Sequence, residues 1–566
     1  MTGNALPSAD PGCELPFVDL DHVAFSVPRS RLIVTRNGTD LHIHEARYEV
    51  PLDSCLLVIA SFASSRPETG QAAAWIAQGA HLRSGGAELA IMGGRVCFGR
   101  DEHAGSWRLT VVDPQRITVS ERDDALVLDV HDGEASPPGG RLREGEDAMS
   151  PSVAYDSFAD FGASADRVVD EWMTRMPACA PHRLPAMRQC WWTLGVNTID
   201  TVIDGRGHRI IVPSKRGYVG LWQWDAYFIA MGVAHGDPDL ALEQFEIAMR
   251  FQGDDGQLPD VVHEEGVLAS SDDLPPADRL KLEAEGSASI GLGAVPLTKP
   301  PLTAWALEKV LASTSPSVRS QQIERFSASI AKSQEWWFAQ GIPPVYAHPY
   351  SSGLDDSPVF DYELPVETPD LLAYLVRQDE ILASWRREGL GHCDDEADRH
   401  AHRAEDTRRL LLDLWDADEQ MFVARNAHRR IPHRTIVHLL ASFAGGLPEE
   451  IARSLSEDIR SENRFSSQYS LPVVSFDDDA YRAEVMWRGP VWANTSYLVA
   501  EGMQACGHER LAQELRAGIM KMIETAGPVE YVNASTGQRC EGAASAFSWS
   551  AALYVDLAVR EYAASS

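Results

Sequence analysis

Two aspartates stand side by side in the run His348-Pro-Tyr-Ser-Ser-Gly-Leu-Asp-Asp-Ser-Pro358, where prolines and a glycine keep the chain out of regular structure. Asp355 and Asp356 have an ordinary reading as a solvated turn or an Asx cap. They also have a chemical one. A carboxyl next to a second carboxyl, with apolar Leu354 before it, is in surroundings that raise its pKa and keep a proton available for donation. Hydrolysis of a glycoside with inversion needs such an acid. It also needs a second carboxylate, about 6.5–9.5 Å away, that activates a water on the other face of the sugar. The other segment of interest is Glu530-Tyr-Val-Asn-Ala-Ser-Thr-Gly537, followed by Phe547-Ser-Trp-Ser-Ala-Ala552. It lies far along the chain, so only the fold can bring Glu530 to Asp355.

The elements that must hold these residues are of two kinds. From about 17 to 150 the chain shows short alternating runs such as Arg31–Thr35, Leu41–His44, Leu56–Ala60, Trp107–Val112 and Ala125–Val130, with Gly, Asp, Asn or Pro between them. This pattern predicts an all-β sandwich, with no catalytic constellation inside it. From about 165 onward the period is helical. Helices are expected near 185–197, 225–235, 301–313, 397–416, 433–444, 447–460, 491–506, 508–526 and 547–563, and others beginning near 238, 319 and 368. About twelve helices joined by unequal loops fit an all-α (α/α)6 barrel of six nested hairpins, an irregular bundle being the other arrangement of the same count. The expected domains are therefore 1–164 (β-sandwich) and 165–566 (barrel, carrying the chemistry). Long loops rich in Trp, Tyr, Asp and Gly, at 205–224, 253–300, 341–367, 465–490 and 527–546, would gather at one end and form the pocket.

The composition is that of a folded globular protein: 566 residues, 44% hydrophobic, 15 Trp. A formal charge of −33 repels nucleic acid and anionic membrane, so neither is expected as a partner. A small carbohydrate is the expected substrate, and the oligomeric state stays open. The eight cysteines show no CxxC pair and no metal-ligand spacing, the N-terminus carries no signal-like run, and no stretch is long and apolar enough to span a bilayer. The chain reads as cytoplasmic, with no metal and no cofactor needed.

The two acidic segments resemble those of inverting α-glycosidases of glycoside hydrolase family 63, in a clan with trehalases, processing α-glucosidases and the glucosylglycerate and mannosylglycerate hydrolases. Gly353-Leu-Asp-Asp-Ser-Pro358 is similar to the Gly-(Leu/Met)-Asp-Asn-Ser-Pro segment that carries the general acid. The resemblance implies Asp355 as acid, with Asp356 its competitor. Glu530-Tyr531, followed by Gly537 and Phe547-Ser-Trp549, resembles the general-base segment, which implies Glu530 as base and Glu541 as runner-up. Leu221-Trp-Gln-Trp-Asp-Ala-Tyr-Phe228 is similar to a sugar-binding Trp-x-Trp-Asp-Ser segment, with Ala226 in place of Ser. It implies that Trp222, Trp224 and Asp225 hold the sugar, although the two tryptophans also read as core. Trp487-Arg-Gly-Pro-Val-Trp492 implies that Arg488 and Trp492 face the site, Arg488 pairing with a catalytic carboxylate or a sugar oxygen. Thr298-Lys-Pro-Pro301 resembles a segment whose Gln contacts ligand. Lys299 in that place would add a positive charge near the aglycone, or lie on the surface. Tyr350 is expected to stack on substrate, and Gly353 to lie among the substrate-binding residues.

The resemblance implies an exo-acting inverting α-glycosidase. A short α-glucoside is the first substrate, a glucosyl- or mannosyl-glycerate the alternative, and a non-catalytic sugar-binding protein on the same fold the rival of another class. Two further groups invite a metal reading and lose it. Asp254-Asp-Gly-Gln-Leu-Pro-Asp260 lacks the terminal Glu of a calcium loop. His392, His400 and His402 are poorly spaced for one helical face and read as surface.

Overall fold

The computed structural model describes residues 18–20, 22–48, 55–61, 75–84, 87–100, 107–122, 124–131, 155, 157–390 and 394–565. The chain forms two compact units that are not divided at a single point such as 164/165. One unit is 1–176 with 191–220, the other 177–190 with 221–566.

The described part of the first unit holds β1 (Leu32–Asn37), β2 (Asp40–Glu45), β3 (Leu57–Ser61), β4 (Ile76–Gln78), β5 (His81–Ser84), β6 (Ala87–Met92), β7 (Arg95–Arg100), β8 (Trp107–Val111), β9 (Ile117–Glu121) and β10 (Ala125–Val130). They make two antiparallel sheets, in the orders β1-β2-β3-β8 and β4-β5-β6-β7-β10-β9. Two-residue loops close the β1–β2 and β6–β7 hairpins, and Gly38 and Gly93 supply the positive φ such turns demand. Alternation sends Val34, Leu41, Ile43 and Ile59 from the four-stranded sheet into one apolar cluster with Leu82, Leu89, Val96 and Leu128 from the six-stranded sheet. Helix α1 (Phe158–Met173), capped by Ser157, adds Phe161, Ala165 and Val169 to that cluster.

The remaining helices are α2 (Leu184–Val196), α3 (Gln223–Val233), α4 (Pro238–Arg250), α5 (Pro276–Glu285), α6 (Thr303–Leu311), α7 (Pro316–Ala339), α8 (Pro369–Arg387), α9 (Asp394–Asp413), α10 (Ile436–Leu440), α11 (Glu449–Arg460), α12 (Ala493–Ala505), α13 (Glu509–Ala526) and α14 (Ser548–Ser565). Every window expected to be helical holds one of them. A β-rich region is thus followed by a helical one. Within the second unit α3, α6, α8, α10, α12 and α14 touch in a closed cycle, each on the next and α14 back on α3. These helices bury most of their circumference; every residue of α3 and α10 is buried, as expected of helices enclosed on all sides. Helices α4, α7, α9 and α13 pack outside members of that cycle. The approach is close at Gly232 of α3, where any Cβ would overlap the backbone of Ala552 in α14.

One expectation is corrected here. His400 is not on the surface: it is fully buried, its Nδ1 2.6 Å from Asp379 of α8, which also takes a guanidinium from Arg403. A buried carboxylate needs such partners, and α9 supplies both. His402 is exposed, and His392 lies outside the described residues. Among the described residues no helix is long and apolar enough to cross a membrane.

Candidate active site

The residues singled out above gather around the N-terminus of α3. Leu221 and Trp222 form a short strand against Val261–His263, and Trp222 is the residue before the first turn of the helix. Trp224 and Asp225 follow in that turn, both buried. Gln223 fixes the neighbouring segments: its side-chain oxygen accepts from Thr298 Oγ1 and from the Lys299 N–H, both at 3.0 Å. The Thr298-Lys-Pro-Pro301 segment thus lies directly beside the tryptophan segment.

The Asp355 loop is docked by contact of backbone with ring. Gly353 has φ +70, and a Cβ there would overlap the ring of Trp224. Only glycine meets both demands, so this turn brings Asp355 next to the aromatic floor. That floor is Trp224, Trp487, Trp492 and Trp549, with Trp487 and Trp492 stacked at 3.6 Å and Trp492 stacked on Tyr531 at 4.6 Å. Trp492 is 1% exposed between its two neighbours. It is packed within this floor, its Nε1 donating to the Met486 carbonyl at 2.9 Å. Trp224 is likewise core, while Trp222 is half-buried.

The two adjacent aspartates have different surroundings. Asp356 accepts the Trp487 N–H at 2.8 Å, so its carboxylate holds the next loop in place. Asp355 has a buried carboxylate oxygen, Oδ1, with no hydrogen-bond partner among the described residues. An orphaned buried oxygen is costly and is found where a ligand completes the set. Glu530 is 3% exposed, its Oε2 accepting the Ala544 N–H at 2.9 Å, whereas Glu541 is exposed. The pairing of Val491–Trp492 with Tyr531–Val532 carries Glu530 to the same aromatic floor.

Charge links the two carboxylates through Asp225. Burial pushes the Asp225 carboxyl well above the usual range; Lys299 opposes the rise, and Asp260 and Glu530 add to it. Asp260, fully buried, is pushed up to about 7 by burial, with Lys299 opposing and Asp355 adding. Lys299 is no surface residue and no free cation: it is 3% exposed, its Nζ 3.0 Å from Asp260 and 2.6 Å from the Tyr350 carbonyl. Nζ also lies 5.7 Å from the Trp222 ring centre and 5.9 Å from that of Tyr350. This pair braces the wall of the site. Asp260, the residue just before the strand that pairs with Trp222, is a fully buried counter-ion. Arg488 is likewise engaged, forking onto Asp361 with Nη1 at 2.9 Å. Burial raises the Tyr350 phenol far above its usual value, and Asp355 and Asp278 raise it further.

Helix α5 supplies a group that the sequence reading passed over as loop. Asp278, Lys281 and Glu285 recur on one face of it, and all three interact electrostatically with Asp355. Lys281 is half-buried, and burial would lower its pKa, but Asp355, Glu285, Asp356 and Asp278 raise it. Among the described residues its ammonium makes one hydrogen-bond contact, to the thioether of Met486 at 3.8 Å. The signals for this helix were present: Pro276 at its first position and Gly286, in the left-handed region, just past its end. The arrangement provides a carboxyl with an unpartnered buried oxygen, a second buried carboxylate, an aromatic floor and an ammonium that interacts electrostatically with the first carboxyl.

Comparison with known proteins bears on this geometry. A family model described as the mannosylglycerate hydrolase MGH1-like glycoside hydrolase domain matches residues 218–550, more than half of the chain. The mannosylglycerate hydrolase of Thermus thermophilus is 27% identical over 404 residues, 60% of this chain and 95% of that protein. The glucosylglycerate hydrolase of Mycolicibacterium hassiacum is 23% identical over 428 residues, 60% of this chain and 92% of that protein. The fold is that of the crystal structure of the glycoside hydrolase family 63 mannosylglycerate hydrolase from Thermus thermophilus in complex with Tris and D-glycerate. That match has a TM-score of 0.54 at 23% identity and covers 65% of this chain and 98% of the other.

Proposed function

The chain belongs to the mannosylglycerate hydrolase MGH1-like glycoside hydrolase family, and from that premise we propose that it hydrolyses an α-linked mannosyl- or glucosyl-glycerate with inversion. Glycerate glycosides come ahead of the plain α-glucoside expected first from sequence, because relatives named for both glycerate glycosides match along most of their length. The closed cycle of α3, α6, α8, α10, α12 and α14, with helices packed outside it, supports an (α/α)6 barrel as the scaffold.

Asp355 is the general acid. Its proton passes to the glycosidic oxygen as the bond to the anomeric carbon breaks, and glycerate leaves. Glu530 is the general base: it takes a proton from the water whose oxygen adds to the opposite face of that carbon. The observation that carries this reading is the buried Oδ1 of Asp355, unpartnered among the described residues, beside an Asp356 already engaged by the Trp487 N–H. Trp222 and Tyr350 line the sugar subsite, and Asp225 receives sugar hydroxyls. Gly353, Trp224, Trp492, Lys299 and Arg488 position the others. Lys281, with no described carboxylate in ion-pair contact, is the cation that meets the carboxylate of the leaving group.

The test is turnover of glucosylglycerate and mannosylglycerate by the intact chain and by Asp355→Asn and Glu530→Gln. Each variant should lose about 10³-fold in kcat while keeping its circular dichroism and unfolding midpoint. Asp356→Asn should stay within about tenfold of the parent. Near-normal turnover in either of the first two variants overturns that residue's role.

A further inference from the structure

The first unit carries a cluster that the hydrolytic chemistry does not use. His42 and His44 are two apart on β2, so both leave the sheet on the face opposite Leu41 and Ile43, which enter the core. One ring nitrogen of each histidine and the Sγ of Cys55, just before β3, lie within 4.8 Å of one another. His44 is 6% exposed. Its Nε2 is 3.0 Å from Thr35 Oγ1 on the neighbouring strand β1, and its Nδ1 is buried with no hydrogen-bond partner among the described residues.

That pattern is informative. When Nε2–H donates to Thr35, the tautomer is set and Nδ1 presents a lone pair to a place where no described protein donor meets it. Metal-binding histidines are held in this way, one nitrogen tied by a hydrogen bond and the other facing the ion. The Cys55 thiol lies 3.0 Å from the Leu57 carbonyl and 3.4 Å from the Ile43 carbonyl, two acceptors for its proton until an ion displaces it. Sequence spacing could not reveal the group, because Cys55 reaches the histidines only through the pairing of β3 with β2.

The geometry points to a transition-metal site formed by His42, His44 and Cys55, taking zinc with water as the fourth ligand. Two imidazoles and a thiolate suit a borderline-soft divalent ion, and a donor set without a carboxylate disfavours calcium and magnesium. Zinc bonds of about 2.0–2.1 Å to nitrogen and about 2.3 Å to sulfur would draw the three donors closer by roughly an ångström. Arg216 is a charged neighbour of His44 and weakens the affinity. A bound ion would clasp β2 to the start of β3, and so contribute to the fold of this sheet.

The experiment uses the full chain with Zn²⁺ and Co²⁺ alone as probes. One Co²⁺ should give a thiolate-to-cobalt charge-transfer band, lost in Cys55→Ser and in His44→Gln and retained in Cys506→Ser. In the unsubstituted chain, saturating Zn²⁺ should slow iodoacetamide labelling of Cys55 at least tenfold, read by peptide mass spectrometry, without slowing labelling of Cys179. The latter reading needs no variant and stands even where a substitution impairs folding. No charge-transfer band, or Cys55 labelling unchanged by Zn²⁺, overturns the assignment, as does a band that survives loss of Cys55.

Discussion

At the residue scale the telling contrast is between Asp355 and Asp356, neighbours whose carboxylates do different work. One holds the Trp487 N–H and the other keeps a buried oxygen open. The order of residues favours Asp355 only through the resemblance; the difference in surroundings comes from a loop more than a hundred positions away. Lys299 teaches the same lesson in reverse. Its type suggested a cation for an anionic leaving group, but Asp260 and the Tyr350 carbonyl engage it. Among the described residues near Asp355, Lys281 is the cation left over. If it meets the leaving-group carboxylate, Lys281→Met should lower kcat/KM for glucosylglycerate by about 10- to 100-fold, the equivalent of one charge-assisted hydrogen bond. The value for a neutral α-glucoside such as methyl α-glucoside should change by less than about threefold. Steady-state kinetics on the two substrates checks this, and an equal loss on both would assign Lys281 to the acid instead of the aglycone.

At the scale of elements, the helices were readable because each buries a repeating apolar stripe or begins at a cap. Pro238 after Asp237 and Pro369 after Thr368 mark starts directly in the sequence. Helix α5 escaped because only Leu282 among its residues is buried, so its apolar period is faint and its chemistry lies on the polar face. The stacking of Trp487 on Trp492, and of Trp492 on Tyr531, was equally out of reach, since it depends on a two-residue strand pair. In the first unit, His81 of β5 joins α1 and β6 through Asp166 at 3.1 Å and Glu88 at 2.8 Å. Burial alone would lower the pKa of this ring, but the two carboxylates raise it to about 9. Unfolded, it titrates near 6.5. The charged ring therefore stabilises the unit fully below about pH 6.5, and that contribution, at most about 3 kcal/mol, is lost as pH rises through 9. Urea unfolding at pH 6 and pH 9.5 should show a drop in midpoint for the parent and a clearly smaller one for His81→Gln; equal drops would contradict this.

At the scale of the whole molecule, the net charge of −33 opposes any anionic substrate at long range, while an ammonium in the role proposed for Lys281 would attract it only at contact. Salt shortens the reach of the first effect more than the second, the Debye length falling from about 30 Å at 0.01 M to about 8 Å at 0.15 M. Over that range kcat/KM for a glycerate glycoside should rise, and for a neutral glucoside it should stay flat; a fall for the glycerate substrate would mean that local cations dominate. The broad division into a β-rich and a helical region follows from the switch in hydrophobic period, and the clan from five short segments kept in order. Substrate choice and the facing of individual side chains do not follow, because they rest on contacts between segments remote in sequence. The most direct test of the central claim, that Asp355 and Glu530 act from opposite faces of one glycosidic bond, is proton NMR of the first sugar released from α-glucosylglycerate, recorded before mutarotation. The expected initial product is β-glucose. Initial α-glucose, or no glucose or mannose from either glycerate glycoside, would contradict it.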